Sequence, residues 1–410
     1  MHLPVTRREA ATVVTVKDAD IARALIPILS GDPSAVAQRL REQPDGVYRA
    51  TLSGGAHVWV VSRYDDVKQL LADPRLALNK GSSRTGYQGF GLPPALDANL
   101  LNLDGADHAR LRRLVTAAFT TRRIDQLRDR IRTTSNTLID ALPLDGTLDL
   151  VAAYAAPLPV AVICDLLGVP ADQGSTLREC TQVLLAPGKY GPSDLAATVG
   201  RILTLLTDLI AAKRTEPTDD LLTAMIAAHD GEDRLSQDEL LSLAFLILFA
   251  GYENSVHLIS AAIARALAEP GLAAAIRAEP DPHSEPMNRI IEQFLKFDQP
   301  ATTAIRRFPT EDIKVGDTVI PAGDTVLLAT AAANHDPASA AGHLTFGHGA
   351  HYCLGSPLAR LEARIAVWTA LHRLPGLTLC VPYADLQWKS DHRQHALTTL
   401  PVTLFPQSIG

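Results

Sequence analysis

Apolar and polar positions along this chain follow two different periods. Gly46–Leu52 and His57–Ser62 alternate residue by residue around Gly54-Gly55, which predicts a β-hairpin. From about His108 to Pro270 the apolar residues recur at helical spacing, predicting a long succession of helices. Shorter strands are predicted between Ile313 and Leu328 and again from Leu377 onward, and Lys80 to Asp97, rich in Gly, Ser and Pro, reads as a loop. One helix has a sharply defined start: Ser236 and Glu239 have capping-box spacing, and Leu235 with Leu240 can staple the entry. It can run to Pro270, about 50 Å at 1.5 Å per residue. Its middle reads Ala250-Gly251-Tyr252-Glu253-Asn254-Ser255. A carboxylate and an amide in an otherwise apolar helix are costly without partners, so this helix is expected to cross a cavity, unless Glu253 simply faces solvent.

Composition narrows the class. A chain of 410 residues, 47% of them apolar, can bury a substantial core. A net charge of −7 argues against nonspecific nucleic-acid binding. Met1-His2-Leu3-Pro4 leads into charged residues, and the longest strongly apolar stretch, Leu243 to Gly251, is far short of a membrane span. The expectation is a cytoplasmic protein without a membrane anchor. Four cysteines predict free thiols, with Cys164, Cys180 and Cys380 in structural settings.

The fourth cysteine changes the picture. Phe346 to Gly355 reads Phe-Gly-His-Gly-Ala-His-Tyr-Cys-Leu-Gly, placing Cys353 on a turn built from Gly347 and Gly349, with Gly355 just beyond. Glycines at this spacing permit positive φ and close backbone approach. A helical pattern begins at Leu354, so Cys353 lies near a helix N-terminus, where a thiolate is favoured. A thiolate in a glycine turn has the character of an axial haem ligand.

This ten-residue pattern resembles the haem-binding loop of the cytochrome P450 family at every defined position, and the resemblance extends over nearly the whole chain. Trp59–Val67, Ala72-Asp73-Pro74-Arg75-Leu76, Pro157–Pro170 and Ile320-Pro321-Ala322-Gly323 are similar to further landmarks of the bacterial members. The resemblance implies a mainly α, α+β fold, a single domain over 1–410. Its β-rich lobe would come mainly from about 40–75, 310–330 and 377–405, with haem b between the long helix and the cysteine loop. It implies Cys353 as the iron ligand, within the cofactor-binding residues Phe346, Gly347, His351, Cys353 and Gly355. His108 and Arg112, four apart on one helical face, match the propionate-binding pair, with Arg307 and His351 completing the set. Ala250 and Gly251 match the small pair that leaves room for dioxygen, and Glu253 the proton-relay acid. Asn254 stands where the family usually has threonine. An amide hydrogen-bonds but does not exchange a proton as a hydroxyl does, and Ser255 carries its hydroxyl about 100° away around the helix.

A second departure falls at Gln293-Phe294-Leu295-Lys296, where the family's Glu-x-x-Arg is expected, and only Ala338 to Thr345 separate Asn334-His335-Asp336-Pro337 from Phe346. The charged lock and its usual arginine partner are lost together, which is coherent because one survivor would be buried unpaired. Glu292 and Lys296 are expected to pair at i,i+4 instead, leaving a looser or rebuilt proximal side.

The reading is a haem-thiolate monooxygenase that hydroxylates, epoxidises or oxidatively couples a small organic molecule, with electrons from a ferredoxin and its reductase. Arg110, Arg113, Arg122, Arg123, Arg360 and Arg364 are candidates for a ferredoxin-docking patch. The alternatives are a non-catalytic relative that stabilises a partner enzyme, and a redox-neutral haem-thiolate isomerase or dehydratase. By resemblance, the pocket draws on Lys80–Asp97, Val183–Arg201, Phe249 to Asn254 and Thr302–Ile305. Tyr87, Phe249, Tyr252, Thr302 and Thr303 are candidate substrate contacts, Tyr190 is another pocket candidate, and the substrate is expected to be uncharged or aromatic.

Overall fold

The predicted hairpin forms from strands β1 (Val47–Thr51) and β2 (His57–Val61), antiparallel with Val47 opposite Val61. The computed structural model describes residues 38, 40 and 46–404, except 53–54, 88–93, 98, 144–145, 171, 186–189, 230–233 and 391–392. Gly54 and parts of the expected Lys80–Asp97 and Val183–Arg201 segments therefore lie outside the described residues. Two short pairs follow the hairpin in chain order, β3 (Leu76–Ala77) with β5 (Phe308–Pro309), and β6 (Ile313–Val315) with β7 (Thr318–Ile320). Strand β8 (Val326–Leu328) then lies parallel to β2, with Trp59 opposite Val326. The indole Nε1 of Trp59 donates to Asp324 Oδ2 across 3.0 Å, tying the two distant segments together. Farther off, β4 (Thr147–Asp149), β12 (Pro401–Thr403) and β9 (Thr378–Leu379) make a three-stranded sheet, and β10 (Trp388–Ser390) pairs with β11 (His395–Leu397). The expected β-rich segments are all strand-bearing within their described residues.

The remainder is helical. Helix α1 (Tyr64–Ala72) follows the hairpin, and α2 (Pro94–Asp97), α3 (Gly105–Ala118) and α4 (Thr121–Asp140) lead into α5 (Pro157–Leu167). Helices α6 (Gly174–Leu185), α7 (Pro192–Thr215) and α8 (Leu221–His229) precede the long helix α9 (Gln237–Ala268). Helices α10 (Pro270–Ala278), α11 (Glu285–Phe297), α12 (Thr330–Asn334) and α13 (Ser356–Arg373) complete the set. The capping box is realised as read: Glu239 N–H donates to Ser236 Oγ at 3.1 Å, and Ser236 N–H to Glu239 Oε2 at 2.7 Å. Leu235 and Leu240 beside it are both fully buried. Helix α9 is the axis of the main core, packed on α2, α5 and α13, while α13 also packs on α4.

Two helices, Ser193–Thr215 and Gln237–Ala268, are long and apolar enough by composition to cross a membrane. The second is mostly buried inside the protein, as the core helix of this fold. That helix contains the Leu243–Gly251 stretch, so its apolar run is longer than the one read from the sequence.

Candidate active site

The cysteine loop is shaped by two glycines. Gly347 and Gly349 both take φ near +75°, and a Cβ on Gly349 would fall 2.8 Å from Ala72 Cα on α1. Only glycine satisfies both conditions. Gly355 has an ordinary φ of −80° and caps α13; a Cβ there would make only ordinary contact with Cys353 Sγ at 3.9 Å, so neither backbone conformation nor crowding requires glycine at this position. Cys353 N–H donates to Phe346 O at 2.9 Å and closes the loop. Its side chain is accessible on one side and closely packed on the others. Burial pushes the thiol up, against the Gly355 and Ser356 N–H groups and the Arg112 and Arg360 cations, which favour the thiolate.

Around this loop the structure gathers the predicted cationic set. Arg112 Nη2 donates to Tyr352 O at 2.6 Å, one residue before the cysteine. One turn earlier on α3, the His108 ring lies 3.9 Å from that of His351. Arg307 is placed by strand geometry, exchanging backbone hydrogen bonds with Val326 and donating from Nη1 to Leu76 O at 3.4 Å. Asp104, at the N-cap of α3, accepts from Leu78 N–H and Asn79 N–H and lies 3.6 Å from His351 Nε2. Nothing in the sequence singled it out, although an Asp preceding the His108 helix is a capping signal.

The electrostatics of this set identify what it lacks. Burial, with His108 and Arg307 adding to it, pushes His351 down to about 4. Burial and the Arg112 charge lower His108, and burial brings Arg307 down to about 10. His108 Nε2 and Arg307 Nε are buried with no hydrogen-bond partner. Four basic groups that raise one another's cost and keep unmet donors need anions. The two carboxylates of a haem, above a cysteine thiolate, fit this donor set.

Helix α9 exposes the small residue Ala250 and the amide Asn254, one turn apart in mid-helix, each flanked by half-buried or buried residues. Gly251 does not share that face: its Cβ would come 3.0 Å from Ile163 Cδ1, so its smallness serves packing against α5. The half-buried Glu253 faces His257, Oε1 to Nε2 3.7 Å, and His257 Nε2 lies 3.3 Å from Gln394 Oε1. Ser255 points to α13 instead, where its hydroxyl meets Glu362. Glu362 is 3% exposed, its Oε1 has no partner, and burial pushes its carboxyl up to about 8.

The candidate substrate contacts divide. Tyr87 is half-buried between Lys80 Nζ and Arg306 Cζ, 4.9 and 4.6 Å from its ring centroid. Phe249 stacks on Phe245 with centroids 5.9 Å apart, and Thr303 is half-buried. Ile305 and Tyr190 are exposed. Tyr252, by contrast, is 4% exposed within the main core, because its position on α9 turns it inward; it packs and does not line a pocket. Thr302 is likewise buried, with its N–H donating to Arg393 O and its carbonyl accepting from Ala331 N–H.

The expected Glu292–Lys296 pair does not form. Lys296 Nζ reaches across to Ser339 O at 2.6 Å, while Glu292 takes Arg360 and His343. A buried neutral network stands beside them: Asn334 Nδ2 donates to Thr345 Oγ1 at 3.0 Å, Thr345 Oγ1 to Leu295 O at 2.6 Å, and Leu344 N–H to Asn334 Oδ1 at 2.6 Å. The proximal side is therefore rebuilt rather than loose. Several of the arginines offered for a docking patch are engaged within the chain: Arg110 with Glu239, Arg123 with Asp219, Arg360 with Glu292 and Arg364 with Asn288.

Comparison with known proteins agrees with this geometry. The family model described as cytochrome P450 matches residues 204–339. The chain is 38% identical over 384 residues to cytochrome P450 107B1 of Saccharopolyspora erythraea, covering 89% of this chain and 93% of that one. It is 37% identical over 388 residues to the cytochrome P450 monooxygenase PikC of Streptomyces venezuelae, covering 91% of each. Among solved structures, the ligand-free P450 monooxygenase TamI superposes with a TM-score of 0.82 at 37% identity, covering 93% of both chains.

Proposed function

This chain belongs to the cytochrome P450 family and is a haem b monooxygenase of natural-product metabolism, and from that premise we propose the roles of its residues. Cys353 ligates the iron as thiolate within the loop of Phe346, Gly347 and Gly355. His108, Arg112, Arg307 and His351 hold the two propionates. Bound haem supplies the dioxygen and one-electron chemistry. Ala250 keeps the facing surface of α9 open, and Asn254 orients what binds there through its amide. Glu253, with His257 beside it, is the acid that relays protons to this face. Because Asn254 cannot carry a proton, delivery relies on Glu253 with water or a substrate hydroxyl.

The protein binds a small-molecule substrate and takes electrons from a redox partner. We infer an uncharged or aromatic substrate from the apolar surface offered by Phe249, Ala250 and Ile305, and a ferredoxin system in the cytoplasm as the electron source. Four of the six arginines proposed for docking are engaged within the chain, and we propose the exposed Arg122 as the candidate for contact with the electron donor. The intact cysteine loop weighs against a non-catalytic accessory role.

The observation carrying this reading is the convergence of partnerless buried nitrogens, His108 Nε2 and Arg307 Nε, on the loop of an accessible cysteine. The test is the carbon monoxide difference spectrum of the dithionite-reduced protein. A strong red-shifted Soret band, lost in Cys353→Ala, is expected; only a blue-shifted band in the wild-type protein would overturn the assignment of Cys353. Substrate turnover without an electron donor would move the reaction to the redox-neutral class.

A further inference from the structure

The family-like lock at Gln293 and Lys296 is gone, yet the cysteine loop is braced on both shoulders by one carboxylate. Glu292 on α11 accepts from Arg360 in a fork, Nε to Oε1 at 2.6 Å and Nη2 to Oε2 at 3.1 Å. The same Oε2 lies 2.9 Å from His343 Nε2. His343 Nδ1 accepts from Thr345 N–H at 3.3 Å, so the ring proton sits on Nε2 and His343 donates to the carboxylate. His343 precedes the loop and Arg360 follows it, on α13. Between them lies Phe346, whose ring centroid is 4.5 Å from Arg360 Cζ and whose carbonyl receives Cys353 N–H. Arg360 Nη1 also reaches Tyr352 Oη at 3.5 Å.

We propose that Glu292 is a positioning residue, which holds the Arg360 guanidinium over the Phe346 ring beside Cys353 and so fixes both the cysteine loop and the charge that its sulfur feels. The neighbouring Gln293 is exposed and Lys296 is occupied by Ser339, so neither supplies the brace. A planar fork is required: lysine at 360 would keep the charge but could neither chelate Glu292 nor stack on Phe346. The carboxylate also neutralises Arg360, so the local charge at the sulfur is set by the pair.

This inference rests on Cys353 as the haem ligand, and the experiment separates the two. Wild-type, Glu292→Gln, Glu292→Asp and Arg360→Lys holoproteins are compared in four measurements: the reduced carbon monoxide spectrum, the reduction potential, haem transfer to apomyoglobin, and hydrogen exchange in peptides covering 343–356. Glu292→Gln is expected to accelerate haem transfer about tenfold, the loss of one charge-assisted hydrogen bond. It should also deprotect the loop, convert part of the red-shifted band to the blue-shifted one, and raise the reduction potential because Arg360 is no longer neutralised. Glu292→Asp should recover most of each. A merely structural role would speed haem loss without moving the potential. If Glu292→Gln does not fold, Arg360→Lys carries the test. Spectra, potentials and exchange unchanged from wild type in either variant would overturn the inference. A wild-type protein without the thiolate band would instead defeat the ligand assignment, and loop exchange would still decide the brace.

Discussion

Glu362 provides a quantitative test of the buried core between α9 and α13. Its carboxyl is fully enclosed, meets Ser255 and is pushed up by burial to about 8 from an ordinary 4.5. Below pH 4.5 the group is protonated in folded and unfolded chains alike, and it costs nothing. Between 4.5 and 8 the unfolded chain releases the proton while the folded protein keeps it, so stability falls as pH rises; above 8 the full penalty is present. At about 1.36 kcal/mol per pH unit, raising the pH from 5 to 8 removes up to about 4 kcal/mol. That is a large share of a typical stability of roughly 5–15 kcal/mol. Glu362→Gln keeps an acceptor for Ser255 and abolishes the titration. Urea unfolding of both holoproteins at half-unit intervals from pH 5 to 8.5 isolates the effect, because Asp298, raised by burial to about 6, cancels in the difference. The stability of the variant relative to wild type should climb steadily by about 3–4 kcal/mol across that range. A constant difference would show that Glu362 is ionised in the folded protein and would refute the burial argument.

Other expectations follow from packing. Gly349→Ala forces a Cβ against Ala72 on α1 at positive φ, and should cost about 2–4 kcal/mol and accelerate haem loss, measured by thermal melting and transfer to apomyoglobin. Gly251→Ala gains roughly 1 kcal/mol of helix propensity but crowds Ile163, at a cost of about 1–3 kcal/mol. The variant should be slightly destabilised alone and stabilised in an Ile163→Val background; a double-mutant cycle in urea checks the reversal.

Local chemistry made much of this molecule legible before its structure. The Ser236–Glu239 box, the hairpin alternation and the glycine turn before Cys353 each act within a few residues, and all three are realised. The structure also brings together His108, Arg112, Arg307 and His351, the set that the resemblance implied. What could not be read is where long side chains go. Glu292 and Lys296 have ideal i,i+4 spacing, yet each finds a partner from the connector or α13, because an exposed helical pair is worth only a few tenths of a kcal/mol. Gly251 and Tyr252 show the same limit. Their place in a motif suggested a role in the pocket, but a rotation of 100° per residue points one at Ile163 and the other into the core. Glu362 lies in the helix that follows Cys353, and its enclosure is not legible from the sequence, since burial of a carboxylate has no local signature.

The parallel pairing of β2 with β8 has a consequence for biosynthesis. The two ends of the Trp59–Asp324 hydrogen bond are 265 residues apart, so during translation the β1–β2 hairpin emerges long before its neighbour exists. At about 5–20 residues per second the ribosome needs roughly 13–50 s to supply β8. Throughout that interval β2 presents an open edge of His57-Val58-Trp59-Val60-Val61, a segment well suited to pairing with other chains. Arg307, which depends on Val326 for its place, arrives in the same late portion. Lower growth temperature and chaperone supply during synthesis should therefore raise how much of this protein is recovered folded.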